Sequence, residues 1–230
     1  MLVPAPLALL APFVPTLGLV AAGLGIVTGV PQVVRLLRTP DASGLSYPSA
    51  VLGVLSSSGW LLYGLQLLDP AQLVANVPGL LCALATLVLI ARRLGLRLAP
   101  AALAAAAWAG VLTAATLLGG PVLVGIAATV VSLVKMLPQV LVVLSRTPLH
   151  GLAPGTFALT QLSATLWSVY GAATAQTSVT VCSVISLLLA TVVLSRRCPP
   201  LVVVRALHEG RWGTPGRLLV APVAPLVLAA

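Results

Sequence analysis

The chain has 230 residues, 60% of them hydrophobic and only 7% charged, with 12 Lys and Arg against 3 Asp and Glu. Water-soluble domains carry about 25% charged residues, so this composition excludes that class. The net charge of +9 does not describe a nucleic-acid surface either, because the basic residues punctuate apolar stretches instead of gathering on one polar face. What remains is an integral membrane protein whose solvent is the lipid bilayer.

Charge-free windows locate the helices, at ~20 residues per span. The first is expected over 16–37, after the prolines at 4, 6, 12 and 15; the second over 46–67, between Asp41 and Asp69; the third over 71–91, before Arg92. The window from Arg97 to Lys135 is too long for one span, and Gly119, Gly120 and Pro121 divide it into helices over 98–118 and 121–144. Beyond His150, the polar stretch Thr174–Ser178 separates helices over 153–173 and 177–195. Seven spans result. The last 13 residues, Leu218–Ala230, are apolar but too short to cross, and are expected in a cytoplasmic or membrane-surface tail over 198–230.

The basic residues set the orientation. With the N-terminus outside, Arg35, Arg38, Arg92, Arg93, Arg97 and the arginines of the tail fall on or nearest the inner side, and the outer loops hold only Asp69. The positive-inside bias therefore predicts N-out and C-in. The N-terminus has no basic region ahead of its apolar residues, so a cleaved signal peptide is not expected. Cys82, Cys182 and Cys198 have no metal or redox spacing, and His150 and His208 stand apart. No metal, cofactor or intramembrane nucleophile–base pair is expected, and the chain does not read as an enzyme.

Displacing the chain by 107 residues superimposes its two halves: Pro31 and Gln32 meet Pro138 and Gln139, Gly44 meets Gly151, and Trp60, Tyr63 and Gly64 meet Trp167, Tyr170 and Gly171. The repeat joins residues 16–91 to residues 121–197 and leaves 98–118 as a linker helix. Three helices are an odd number, so the linker is what lets both repeats insert the same way. Parallel repeats of this kind are a transporter architecture, with a binding site near the midplane between the halves.

These motifs resemble the SWEET and SemiSWEET sugar transporters of the PQ-loop superfamily. The resemblance is carried by the two Pro-Gln signatures, by Trp60-Leu-Leu-Tyr63-Gly64 followed by Asn76, and by the 3+1+3 layout of the full-length form. It implies a plasma-membrane facilitator that moves mono- or disaccharides by alternating access, with homo-oligomers compatible with it. Two other readings stay open: a PQ-loop transporter of another small solute, proton-coupled or not, and a membrane receptor or scaffold with a transporter-like fold.

Individual residues follow. Pro31 and Pro138 each remove a backbone donor near a helix end, and their recurrence favours a hinge over a static kink, with Gln32 and Gln139 supporting the freed carbonyls. Pro48 and Pro154 complete the proline set of the resemblance, or simply open their helices. Asn76, the sole asparagine, is interhelical glue or a substrate contact, and the resemblance favours the contact. Trp60 and Trp167 sit mid-helix, where an indole covers a sugar face while its N–H keeps a polar partner. The position matching Asn76 is Ser183, which predicts an asymmetric, less polar second wall. By resemblance, Tyr63, Asp69 and Tyr170 form the outer gate. Lys135, the only lysine, shares a helix face with Pro138 and Gln139, and is assigned to coupling, to an anion, or to carbonyls freed by the kink.

Overall fold

The computed structural model describes residues 11–38, 46–144, 154–197, 200–211 and 213–221. Helices are the only regular elements among them, as a chain in hydrocarbon requires when each backbone group must find its partner locally. A short 3-10 turn at Ala11–Phe13 leads into α1 (Val14–Arg38), α2 (Tyr47–Leu67) and α3 (Pro70–Arg93). Then come α4 (Ala99–Leu144), α5 (Pro154–Ala173), α6 (Thr177–Arg197), α7 (Pro200–His208) and α8 (Gly213–Val220). Where the sequence predicts two helices, α4 is continuous in hydrogen bonding but broken at Gly120, whose φ of 56° and ψ of −141° lie outside the helical region. Glycine holds that conformation without a Cβ penalty, so the break expected at Gly119-Gly120-Pro121 is made by Gly120. Four stretches among the described residues are long and apolar enough to cross a membrane: Val14–Arg38, Tyr47–Leu67, Pro70–Arg93 and Ala99–Leu137. The chain is thus an all-helical, multi-pass integral membrane protein.

Local chemistry sets the helix ends. Ser46 caps α2, its hydroxyl accepting from the Ser49 N–H, and Pro48 stands in the first turn where a proline costs no hydrogen bond. Asp69 caps α3, accepting from the backbone N–H groups of Ala71 at 2.9 Å and Gln72 at 3.2 Å, with Pro70 behind it. The α2–α3 turn carries Leu68 at φ 51°, and the α5–α6 turn carries Ala175 at φ 56°. These two residues are 107 apart, as 68 plus 107 is 175. In each turn the next backbone N–H reaches back to the repeated glycine: Asp69 to Gly64 O at 3.0 Å, and Gln176 to Gly171 O at 2.8 Å. Both helices therefore end in the same left-handed cap. At the opposite end, Arg93 donates to Leu36 O at 3.3 Å and Tyr47 to Arg97 O at 3.0 Å, tying together the ends of α1, α2 and α3.

Packing follows the repeat. α3 lies against both α1 and α2, and α6 lies against both α5 and α4. Between the halves, α1 packs on α5 and α2 on α4. Two glycines allow the closest approaches. A Cβ on Gly18 would stand 2.5 Å from Tyr170 Cε2 and 2.7 Å from Ala71 Cβ, and one on Gly125 would stand 2.8 Å from Tyr63 Cε2 and 2.7 Å from Ser178 Cβ. Shifting by 107 turns each of these sets into the other. Reciprocal contacts of this kind are what a two-fold rotation produces. The cluster of Tyr63, Leu112, Val124 and Val179 lies at this junction, with Trp60, Trp108 and Trp167 packed on it. Trp108 donates its indole N–H to Ser58 at 3.2 Å and so fastens α4 to α2.

α7 and α8 pack on one another in the segment expected to be a tail. Of the hinge residues, Gln32 is exposed on α1 and Pro48 is exposed on α2. The backbones of Pro31, Pro138 and Pro154 lie within α1, α4 and α5. The side chains of Pro31, Pro138, Gln139 and Pro154 fall outside the described residues.

Candidate functional site: a closed end above an indole-walled cavity

The two left-handed turns place Asp69 and the C-terminal end of α5 side by side. Asp69 is only 6% exposed. The Tyr170 hydroxyl reaches its carboxylate at 2.7 Å and 2.9 Å, and Gln176 donates its side-chain N–H to the same group at 2.5 Å. A buried carboxylate needs such partners, and hydrogen bonds to a charged group are about twice as strong as neutral ones. One side chain thus does two jobs: it caps α3 from within its own half and ties that half to α5 and α6. Tyr63 and Tyr170 each stand edge-on to the tryptophan three residues earlier, with ring centroids 5.5 Å apart in both cases. The three expected gate residues are brought to one end, and Asp69 is held by protein groups. Sequence reasoning missed Gln176, although the shift of 107 pointed to it: 69 plus 107 is 176.

Beneath this closure lies a cavity of about 400 Å³. Trp60, Gln72 and Asn76 line it from the first half, and Trp167, Val179, Cys182 and Ser183 from the second. The four expected substrate contacts, Trp60, Asn76, Trp167 and Ser183, are therefore together.

Hydrogen bonds sort the lining groups into those held by protein and those left free. Trp60 donates its indole N–H to Ser132 at 2.9 Å, and Ser132 also pairs with Ser56 at 2.7 Å. That ring is locked in place across the two halves. Asn76 spends both amide hydrogens on Gln72, at 2.9 Å to its backbone carbonyl and 3.0 Å to its side-chain oxygen. Asn76 therefore presents its oxygen to the cavity, as an acceptor. The donor beside it is Gln72, whose side-chain nitrogen has no protein partner among the described residues. Gln72 is 3% exposed, and sequence alone did not single it out. Its i, i+4 spacing to Asn76 was the available signal. Cys182 lines the cavity with its thiol near the hydroxyls of Ser186, Ser132 and Thr129.

Lys135 stands on the second arm of α4, on the face that carries Val124, Ala128 and Ser132. Val124 and Ala128 are fully buried and Ser132 nearly so, yet Lys135 is exposed. The face that is packed near the Asp69 end is uncovered one turn past Ser132.

Fold and site together define a helical membrane protein with a small cavity between two related halves, closed at one end. Residues 14–92 match the family described as "Sugar efflux transporter for intercellular exchange". A stretch of 49 residues is 37% identical to "Sugar transporter SWEET1" of Homo sapiens, covering 21% of this chain and 22% of that protein. The chain thus matches about a fifth of that relative's length. Both matches show what the chain is similar to, and the family match falls on its first three helices.

Proposed function

We infer that the protein is a sugar facilitator working by alternating access, in which residues 16–91 and 121–197 are the two moving repeats and 98–118 is the helix that joins them. The observation that carries this reading is a cavity walled by Trp60 and Trp167, equivalent residues of the two halves, directly beneath the Asp69–Tyr170 closure. A cavity at the junction of two like halves is reached from either side by rocking one against the other. The seven-span layout, N-out and C-in, rests on the charge distribution, which puts the Asp69 closure outside and the arginine-rich ends inside. The arrangement then corresponds to an inward-facing state. Pro31 and Pro138, with Gln32, Gln139, Pro48 and Pro154, are assigned to the bending that exchanges the states.

Trp60 and Trp167 cover the two faces of a sugar ring, Asn76 accepts from a hydroxyl, and Ser183 supplies a shorter contact opposite. The plasma membrane is the proposed location. The test is uptake of labelled glucose and sucrose into proteoliposomes by wild type, Trp60→Ala and Asn76→Ala, with and without an imposed pH gradient. Gradient-independent uptake lost in both variants is expected. Absence of sugar uptake by well-folded protein overturns the sugar reading, and dependence on the gradient overturns the facilitator.

A further inference from the structure

Asn76 fixes which way the Gln72 amide faces. A backbone carbonyl only accepts, so the Asn76 atom 2.9 Å from the carbonyl oxygen of Gln72 is its nitrogen. The second hydrogen of that nitrogen reaches the Gln72 side chain at 3.0 Å, and the atom receiving it is therefore Oε1. Gln72 Nε2 is turned away from Asn76 and has no protein partner among the described residues. The side chain is 3% exposed and borders the cavity. Two side-chain polar atoms among the described residues are sealed off without a partner, Gln66 Oε1 and Gln176 Oε1, and Gln72 Nε2 is not one of them. A nitrogen neither bonded nor sealed, on a side chain this deeply buried, opens into the cavity. An unpaired donor in such a place is costly unless a ligand meets it.

The equivalent residue of the second half is Val179, as 72 plus 107 is 179. It lines the cavity too. Each of the pair packs on the repeated glycine of its own half: a Cβ on Gly64 would stand 2.7 Å from Gln72 Cβ, and one on Gly171 would stand 3.1 Å from Val179 Cβ. The repeat thus holds both side chains at matching places, and only the first half puts an amide there. Gln72 is fixed from behind as well, its backbone N–H donating to the Asp69 carboxylate at 3.2 Å. A donor on a capped helical turn that is packed against its neighbour is held rigidly, as selective recognition requires.

We propose that Gln72 is a substrate-binding residue that sets the orientation of the solute. Its Nε2 donates to one ring hydroxyl, while Asn76 Oδ1, one helical turn on, accepts from the neighbouring hydroxyl. The first half reads a hydroxyl-bearing edge, and Val179 leaves the matching place in the second half apolar. This rests on the transport reading above and names the groups of the sugar that are read. A pair of hydroxyls satisfies both amides at once; a solute without it leaves a buried donor and a buried acceptor unmet.

The experiment measures binding of glucose, and of its deoxy and deoxyfluoro analogues at each ring position, to the purified full chain by tryptophan fluorescence. Fluorine keeps an acceptor and removes the donor, whereas hydrogen removes both. In wild type, two neighbouring positions should matter. At the one met by Gln72, the deoxy analogue binds roughly tenfold more weakly and the fluoro analogue recovers part of the loss. At the one met by Asn76, both analogues lose alike. Gln72→Met and Gln72→Glu, each checked for helicity and monodispersity, should bind glucose roughly tenfold more weakly and lose nothing further with the deoxy analogue of the Gln72 position. Gln72→Glu keeps an oxygen for Asn76, so its loss reports the missing donor and not a displaced Asn76. Variants that weaken glucose and every analogue by one common factor show a structural role only and overturn the proposal, as does unchanged glucose binding in both. Wild type with no position at which fluorine outperforms hydrogen overturns it without any variant. Failure of wild type to bind glucose and every analogue overturns the sugar reading beneath it as well.

Discussion

Asp69 and Gln176 occupy the same position in the two halves, 107 residues apart, and hydrogen-bond to one another. A residue that meets its own repeat equivalent lies on the axis relating the halves. There the repeat has diverged by one functional group: a carboxylate faces an amide, so a donor meets an acceptor where two acids would repel. Tyr170 completes the contact from the same half as Gln176. The acid has a second duty as the cap of α3, which couples closure of this end to the first turn of the helix bearing Gln72 and Asn76.

Removing the Tyr170 hydroxyl tests the closure. Tyr170→Phe keeps the ring that packs on Gly18 and deletes the bond to Asp69. A hydrogen bond to a charged group contributes about 1.5–3 kcal/mol, so the balance shifts away from closure of the Asp69 end by roughly 10- to 100-fold. Labelling of a single cysteine placed in the cavity by an impermeant reagent added on the Asp69 side of the membrane checks this, and unchanged labelling argues against the closure. Asp69→Asn retains a cap while losing the charge, and is expected to show a smaller shift in the same direction.

The paired glycines make a second prediction with its own control. Gly18→Ala and Gly125→Ala force a methyl against Tyr170 and Tyr63, where no space exists, at a cost of about 1–3 kcal/mol each. Gly23→Ala, on the same helix as Gly18, meets nothing within 4 Å. It is expected to be neutral, or to stabilise by up to about 1 kcal/mol through helix propensity. Thermal unfolding in detergent, followed by tryptophan fluorescence, should separate the two classes.

Ser132→Ala tests the locked indole. It leaves the Trp60 N–H without its partner in a half-buried position, which costs about 1–3 kcal/mol. The expected result is weaker sugar binding with the fold retained, the ring being free to turn. Ser132→Thr, which restores a hydroxyl, should recover much of the affinity. Equal affinity in wild type and Ser132→Ala counts against a positioning role.

The two left-handed turns hold residues that are not glycine. Leu68 is 80% exposed, so replacing it removes little packing. Leu68→Gly and Ala175→Gly relieve a conformation that costs an L-residue about 1–2 kcal/mol, offset by the greater freedom of glycine in the unfolded chain. A net gain of about 0.5–1 kcal/mol each is expected as a rise in Tm, and the two should fall short of additive because the turns meet through the Asp69–Gln176 hydrogen bond.

The sequence by itself determined the membrane environment, the break at Gly120 and the ends of the long helices, the last to within two or three residues, while the short helices α7 and α8 were read only as a tail. All of these depend on interactions close along the chain: apolar runs that need internal hydrogen bonding, and glycines, prolines and charges that end them. The repeat extended that reach to pairs of equivalent residues, so Trp60, Trp167, Asn76 and Ser183 could be assembled as candidates before any coordinates. Only the tertiary structure decided which polar groups meet. Trp60 is held by Ser132, Asn76 is spent on Gln72, and Asp69 is shared by Tyr170 and Gln176. Such choices depend on the angle and depth at which two helices cross, which no periodicity along either helix records. A side chain's residue type states what it can donate or accept; the packing of the halves decides which of those groups remain for a ligand.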